Sequence, residues 1–179
     1  MLHIRDAVEG DVAVIHRMLR DSAIAQGSEE KLCATPGNLL EDGFGPQPRF
    51  HCLVADLDGA PAGLALYFFI YSTWSSRMSL YLEDLYVDPA ARRHGVGRAL
   101  MQRIARIALE AGCRQARWVV LEENRAAVNL YEAIGARRQP DWSLMLMEED
   151  ALKAFANSDF SHHFGRSFVE SAFECDSTE

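Results

Sequence analysis

The stretch YLEDLYVDPAARRHGVGRAL, residues 81–100, decides the fold because the chain changes there from one regular structure to another. Its first part, through Val87, is rich in aromatic and aliphatic residues, which predicts a strand. From Gly95 to Gly112, apolar residues recur at the spacing of a helix face, and the final glycine is a typical helix end. The loop that joins strand to helix carries Arg92, Arg93, His94, Gly95, Gly97 and Arg98.

This loop has the composition of a phosphate site. The first turn of a helix has unpaired backbone N–H groups and a partial positive charge. Glycines let that backbone approach a ligand closely, and cationic side chains add attraction for phosphate. A P-loop would need Gly-Lys-Ser/Thr, which is missing, and a dinucleotide fingerprint would need glycine or alanine where Leu100 stands. The loop therefore predicts a pyrophosphate site of another kind.

The rest of the chain alternates between strand-like and helix-like segments. Before the loop we expect strands over 2–7, 50–56, 61–74 and 78–87, and helices over 9–25 and from Thr35–Pro36 onward. Asp58-Gly59 predicts a hairpin turn, and the strand over 61–74 is apolar enough to be buried on both faces. After the loop we expect a strand over 116–121, a helix from Asn124 to Gly135 and a strand over 142–147. This order predicts a layered α/β domain with a mixed sheet.

The bulk properties exclude several classes of function. A length of 179 residues allows one domain with a real core, and a net charge of −8 disfavours nucleic acid as a partner. No apolar run reaches about 18 residues, so we expect no membrane span. The charged N-terminal segment argues against a signal peptide. The four cysteines lack zinc-site spacing, so we expect no metal and reduced thiols in a cytoplasmic protein.

The arrangement R-x-x-G-x-G at Arg92, Gly95 and Gly97 resembles the signature of the GNAT superfamily of N-acetyltransferases. In that family the loop holds the pyrophosphate of acetyl-CoA. Further stretches resemble the branch of spermidine/spermine and thialysine N-acetyltransferases: LLEDGFG at 39–45, HCLVA at 51–55, YFFIYSTW at 67–74, YLEDLYV at 81–87 and NRAAVNLY at 124–131. The resemblance covers about residues 3–155. It implies a GNAT domain over 1–156, with a central mixed, mostly antiparallel twisted sheet flanked by helices.

The resemblance also implies roles for individual residues. Tyr131 would be the general acid, and Glu83 would bind the amine and deprotonate it through a water molecule. Asp84 and Glu122 would also bind the substrate, although strand alternation is expected to put Glu83 and Asp84 on opposite faces. The acetyl-CoA contacts would come from Leu85, Tyr86 and Val87, from Arg92, Arg93, His94, Gly95, Val96, Gly97 and Arg98, and from Asn124, Arg125, Ala126, Ala127 and Tyr131.

The chain departs from the polyamine enzymes at two places. They carry an aromatic-acid pair late in the first helix, where this chain has Ala25-Gln26, and an acid-Trp-Asn triplet where it has Glu122-Glu123-Asn124. We therefore expect a reshaped pocket for a small cationic metabolite, which leaves open a diamine, a polyamine or an amino acid like lysine or ornithine. A protein or peptide N-acetyltransferase and a non-catalytic acyl-CoA-binding regulatory module are the alternatives.

Two expectations concern assembly. Members of the resembled family are commonly homodimers, so we expect a homodimer here. Phe160, Phe164, Phe168 and Ala172 recur every four residues in the C-terminal extension, 157–179. This spacing predicts an amphipathic helix that docks on its own domain or on a second subunit.

Overall fold

The structure is a computed structural model that describes residues 1–158, in two compact units. The first unit spans Met1–Arg137. Its strands are β1 (Leu2–Asp6), β2 (His51–Leu57), β3 (Ala60–Ser72), β4 (Arg77–Val87) and β5 (Ala116–Arg117). Its helices are α1 (Val12–Ala25), α2 (Pro36–Phe44), α3 (Val96–Glu110) and α4 (Arg125–Ala133), with 3-10 turns at Glu9–Asp11, Glu29–Lys31 and Pro89–Ala91. The second unit begins at Arg138 and contains α5 (Glu149–Ala156).

The sheet has the order β1-β2-β3-β4-β5. The first four strands pair antiparallel, and β5 joins β4 in parallel. The expected mixed, mostly antiparallel sheet with flanking helices is confirmed. The predicted hairpin between β2 and β3 is also confirmed, since Asp58 and Gly59 both adopt positive φ angles, 52° and 85°.

Each face of the sheet packs on its own helices. On one face, Leu64 and Leu66 of β3 pack against Ile15 and Met18 of α1 and against α2. On the other face, the sheet packs against α3 through a core that includes Leu53, Leu80, Leu100 and Ile104. Strand β3 contributes to both cores and is buried from Ala62 to Tyr67, as the apolar sequence predicted.

A β-bulge interrupts the pairing of β3 with β4. Leu66 pairs with Asp84 and Tyr67 pairs with Leu82, so Glu83 has no partner on β3. The extra residue reverses the alternation of side chains: Leu82 and Leu85 both pack in the core under α3, whereas Tyr86 packs in the core under α1. Glu83 and Asp84 therefore line the same side of the sheet, and the expectation that they lie on opposite faces is wrong.

Two predicted strands differ from the structure. The strand expected over 116–121 is reduced to Ala116–Arg117. The segment 142–147 is irregular, not a strand, and Leu144, Met145 and Leu146 are exposed. A strand is stabilised by the ladder of a neighbouring strand, and the hydrogen-bonded part of β5 is only two residues long. An apolar run was therefore an insufficient signal for a strand.

Helix α5 was not predicted, although its sequence carries helix signals. Glu149 and Asp150 stand in the first turn, and Lys153 forms an i,i+4 ion pair with Glu149. The helix predicted within 157–179 falls almost entirely outside the described residues. Within residues 1–158, no helix has the length and apolar character needed to cross a membrane.

The pairing of β3 with β4 leaves no room for a side chain at Gly63. A Cβ atom there would lie 2.7 Å from the backbone oxygen of Tyr86 and 3.1 Å from Val96. We predict that Gly63→Ala lowers the free energy of unfolding by about 2 kcal/mol through overpacking, measured by urea denaturation. Gly10→Ala is the control, because a Cβ atom there meets nothing within 4 Å. Equal stability of both variants would contradict this packing.

Candidate active site

A cleft of about 420 Å³ lies between the sheet and the α1–α2 side of the first unit. Glu83, Asp84 and Leu66 form its floor, and Phe50 also borders it. The remaining lining residues belong to α1, α2 and their connection: Leu19, Ser22, Ala23, Gln26, Ser28, Lys31, Leu32, Ala34, Asn38, Leu39 and Asp42. The bulge is what brings both carboxylates of β4 into this one cleft.

The cleft is acidic. Asp84 is largely buried, and its burial, together with the negative charge of Glu83, raises the pKa of Asp84 to about 6. Asp42 adds a third carboxylate, which Arg49 contacts at 3.2 Å. Lys31 is the one cation among the lining residues. Above pH 6, Asp84 is mainly ionised, so the floor of the cleft attracts a cationic group such as an ammonium.

The glycine loop has the geometry of an anion site. Gly95 is the N-cap of α3 with a φ of 80°, which a glycine adopts without strain. The first-turn amides of α3 belong to Val96, Gly97 and Arg98, and they have no acceptor within the helix. The side chains of Arg92, Arg93, His94 and Arg98 are exposed around this turn.

Local contacts give the loop its shape. Nε of Arg92 donates to the backbone oxygen of Val87 at 3.4 Å, and Nδ1 of His94 donates to the backbone oxygen of Arg92 at 2.9 Å. Arg93 adopts a left-handed φ of 68°, a conformation that glycine adopts more easily. A Cβ atom on Gly97 would lie 3.2 Å from Leu130, so a glycine there permits close packing of α3 on α4.

The outer edge of β4 connects the cleft to the loop. Strand β5 pairs with β4 only at Leu80 and Tyr81, so within residues 1–158 no strand continues along β4 from Leu82 to Val87. Leu85 and Val87 direct their side chains into the α3 core, and Tyr86 is buried in the other core. Backbone groups are therefore what this edge offers to an extended ligand.

Tyr131 lies on α4 and is only 9% exposed. Its ring packs against Trp118 with a centroid distance of 4.9 Å. Burial raises the pKa of Tyr131, so its phenol holds its proton at neutral pH. Asn124 is the N-cap of α4, as predicted, and its side chain accepts a hydrogen bond from the amide of Ala127 at 3.2 Å.

The structure brings together some of the predicted site residues and leaves others apart. Glu83 and Asp84 share the cleft, and 85–87 run from the bulge toward the loop over 92–98. Glu122 is exposed and does not line the cleft, and Arg125 and Ala126 are exposed at the start of α4. Sequence reasoning placed Ala25-Gln26 at the substrate pocket, and Gln26 lines the cleft, but it missed the rest of the wall formed by α1, α2 and their connection. The signal for the rest was the LLEDGFG stretch, which contains the cleft residues Leu39 and Asp42.

The comparison with protein families agrees with this geometry. Residues 15–136 match the model of the acetyltransferase (GNAT) family. The chain belongs to the GNAT acetyltransferase family. It is therefore an acetyltransferase, and the family uses acetyl-CoA as co-substrate.

Similar proteins extend the comparison over most of this GNAT chain. It is 40% identical to a thialysine N-epsilon-acetyltransferase of Sus scrofa, over 86% of this chain and 96% of that one. It is 31% identical to the spermidine/spermine N(1)-acetyltransferase-like protein 1 of Homo sapiens, over 83% of this chain and 23% of that one. Among solved structures, an integron cassette protein of V. cholerae has a TM-score of 0.72 at 21% identity, covering 88% of this chain and 98% of that one. This last likeness shows the fold.

The raised pKa of Asp84 has a consequence for stability. A carboxyl whose pKa rises from 3.8 to about 6 on folding binds its proton more tightly in the folded protein. Its contribution to the free energy of unfolding therefore falls as the pH rises from about 4 to 6. We predict that Asp84→Asn matches the wild type near pH 4 and is more stable by up to about 3 kcal/mol above pH 6.

Urea denaturation from pH 4 to pH 8 measures this difference. Glu83→Gln is the matched control: it removes the neighbouring charge but leaves Asp84 buried, and burial is the larger cause of the raised pKa. This control should keep most of the pH dependence of the wild type. A constant difference between Asp84→Asn and the wild type across the pH range would show that Asp84 titrates normally.

Proposed function

We propose that the protein transfers the acetyl group of acetyl-CoA directly to a primary amine of a small cationic metabolite bound in the cleft. The bulge at Glu83 carries this proposal, because it turns two carboxylates into the cleft where the free edge of β4 begins. An acidic cleft attracts ammonium groups. The names of the relatives, thialysine and spermidine/spermine acetyltransferases, support a small amine as the acceptor.

The residues of the loop and the β4 edge fit acetyl-CoA. Its pyrophosphate would be held by the amides of Val96, Gly97 and Arg98 and by the cationic side chains of the loop. Its pantetheine arm carries amide groups, which would pair with the backbone of Leu85–Val87 like an added strand. Asn124–Ala127, at the start of α4, would contact the pantetheine and phosphate groups as in the resembled family. These assignments leave the thioester near the bulge.

The proposed chemistry uses the carboxylate of Glu83 as the base and the phenol of Tyr131 as the acid. The amine arrives as an ammonium and loses a proton to Glu83 through a water molecule, because only the neutral amine is a nucleophile. The amine nitrogen then forms a bond to the thioester carbonyl carbon, and the bond from that carbon to sulfur breaks. The leaving thiolate takes the phenolic proton of Tyr131, and the second proton that the amine nitrogen loses on forming the amide returns through water to the tyrosinate. Asp84 holds the substrate cation in place.

The expectations about oligomeric state, nucleic-acid binding and location in the cell rest on separate observations. The resemblance to enzymes that are commonly homodimers supports a homodimer, and light scattering on the purified protein measures its mass. The acidic net charge of −8 supports the absence of a nucleic-acid partner. The cysteine pattern supports a cytoplasmic location, which fluorescence microscopy of a tagged protein tests.

The acid role of Tyr131 gives a kinetic prediction. We predict that Tyr131→Phe lowers kcat roughly a hundredfold, the typical contribution of a positioned proton donor, and leaves the KM for acetyl-CoA unchanged. The measurement is thiol release in the presence of an accepted amine. Tyr71→Phe is the matched control, because Tyr71 is 62% exposed near the end of the β3–β4 hairpin. An unchanged kcat in Tyr131→Phe would remove the acid role.

The reaction class itself is tested by thiol release from acetyl-CoA with a set of amines. Spermidine, putrescine, lysine, ornithine and thialysine represent the small acceptors, and a basic peptide represents a protein substrate. We expect turnover with one or more small amines and none with the peptide. Turnover with the peptide alone, or acetyl-CoA binding without thiol release on any amine, would contradict the proposal.

A further inference from the structure

We propose that Lys31 binds the carboxylate of the amine substrate, and that the cleft therefore selects amino acids with a side-chain amine over diamines and polyamines. This inference rests on the proposed function and adds a specificity-determining residue to it. The sequence contains only two lysines, Lys31 and Lys153, and Lys31 lines the cleft.

The charges of the cleft are distributed unevenly. The floor, on β4, carries Glu83 and Asp84, whereas Lys31 belongs to the connection between α1 and α2. Gln26 of this wall carries no charge, and Asp42 is the one acid among the lining residues of the wall. An acceptor that places its reactive amine at the floor therefore meets both a cation and an acid at the wall, and the acid is already held in an ion pair. That pattern suits a substrate with an amine at one end and a carboxylate at the other.

The charge of Lys31 is available to a ligand. Among the described residues Lys31 has no ion pair, and its side chain is exposed. Its neighbour Glu29 is occupied by Arg20, whose Nε contacts the carboxylate at 2.8 Å. The acid that lines the wall, Asp42, is contacted by Arg49 at 3.2 Å. A substrate carboxylate would thus gain a charge-assisted hydrogen bond from Lys31.

A second ammonium group would meet the opposite situation. A diamine or polyamine that places one amine at Glu83 and Asp84 extends its other amine toward the wall, where the charge of Lys31 repels it. Gln26, at the end of α1, lines this wall with a neutral amide, and its Nε2 donates to the hydroxyl of Ser22 at 3.1 Å. An acid at this position would attract the second ammonium, and the chain has none there.

Matched pairs of substrates isolate the carboxylate. Lysine and cadaverine differ only in the α-carboxylate, as do ornithine and putrescine. For the wild type we expect a lower KM for the amino acid of each pair, measured by thiol release from acetyl-CoA. We expect Lys31→Gln to raise the KM for the amino acid roughly tenfold, the loss of one charge-assisted hydrogen bond, with kcat unchanged. The KM for the diamine should stay the same or fall.

Three further variants complete the test. Lys31→Arg keeps the charge and should retain the preference for the amino acid. Gln26→Glu adds an acid to the wall and should lower the KM for the diamine. Lys153→Gln is the matched control: it removes the same charge from a lysine whose partner is Glu149 in α5, and it should leave both KM values unchanged.

The outcomes separate the two proposals. If no amine is acetylated, the proposed function fails. If amines are acetylated but the diamine is preferred, or if Lys31→Gln leaves the preference unchanged, the proposed function stands and the role of Lys31 is wrong. An equal rise in the KM values for both members of a pair would show a structural role for Lys31 and would also overturn the inference.

Discussion

The candidate active site depends on one extra residue in strand β4. Glu83 has no partner on β3, so the alternation of side chains reverses between Leu82 and Leu85. Without this bulge, Glu83 and Asp84 would face opposite sides of the sheet, and one of them would enter the apolar core under α3. Burial of an unpaired carboxylate there would cost several kcal/mol. The bulge instead turns both acids into the cleft beside α1 and α2.

Strand β4 then has two functions along its length. Its face carries the acids that we propose attract the amine, and its outer edge, beyond Tyr81, offers backbone groups that β5 does not occupy. The same strand leads directly into the loop at Arg92–Arg98 and the first turn of α3. The proposed acceptor and the proposed acetyl donor therefore meet at the bulge, while their binding energies come from different elements.

The sequence predicted this framework well where local signals were strong. The α3 helix, the cap at Asn124, the hairpin at Asp58-Gly59 and the doubly buried β3 all follow from local patterns. The bulge at Glu83 was missed because register depends on the partner strand, and alternation alone implied opposite faces. Lys31 was missed because the α1–α2 wall forms only when distant segments pack on the sheet. The strand predicted over 142–147 was wrong for a similar reason, since an apolar run does not supply a pairing partner.

The account places the amine in the cleft and acetyl-CoA along the edge of β4 and the first turn of α3. The most direct test of this division is amide hydrogen exchange measured with and without saturating CoA. The account predicts slower exchange at Leu85–Val87 and in the first turn of α3, Val96–Arg98, with unchanged exchange in α2, Pro36–Phe44. Protection confined to α2, or none in β4 and α3 despite saturation, would contradict it. Such a result would mean that the donor occupies the acidic cleft or another surface, not the edge that the bulge leaves open.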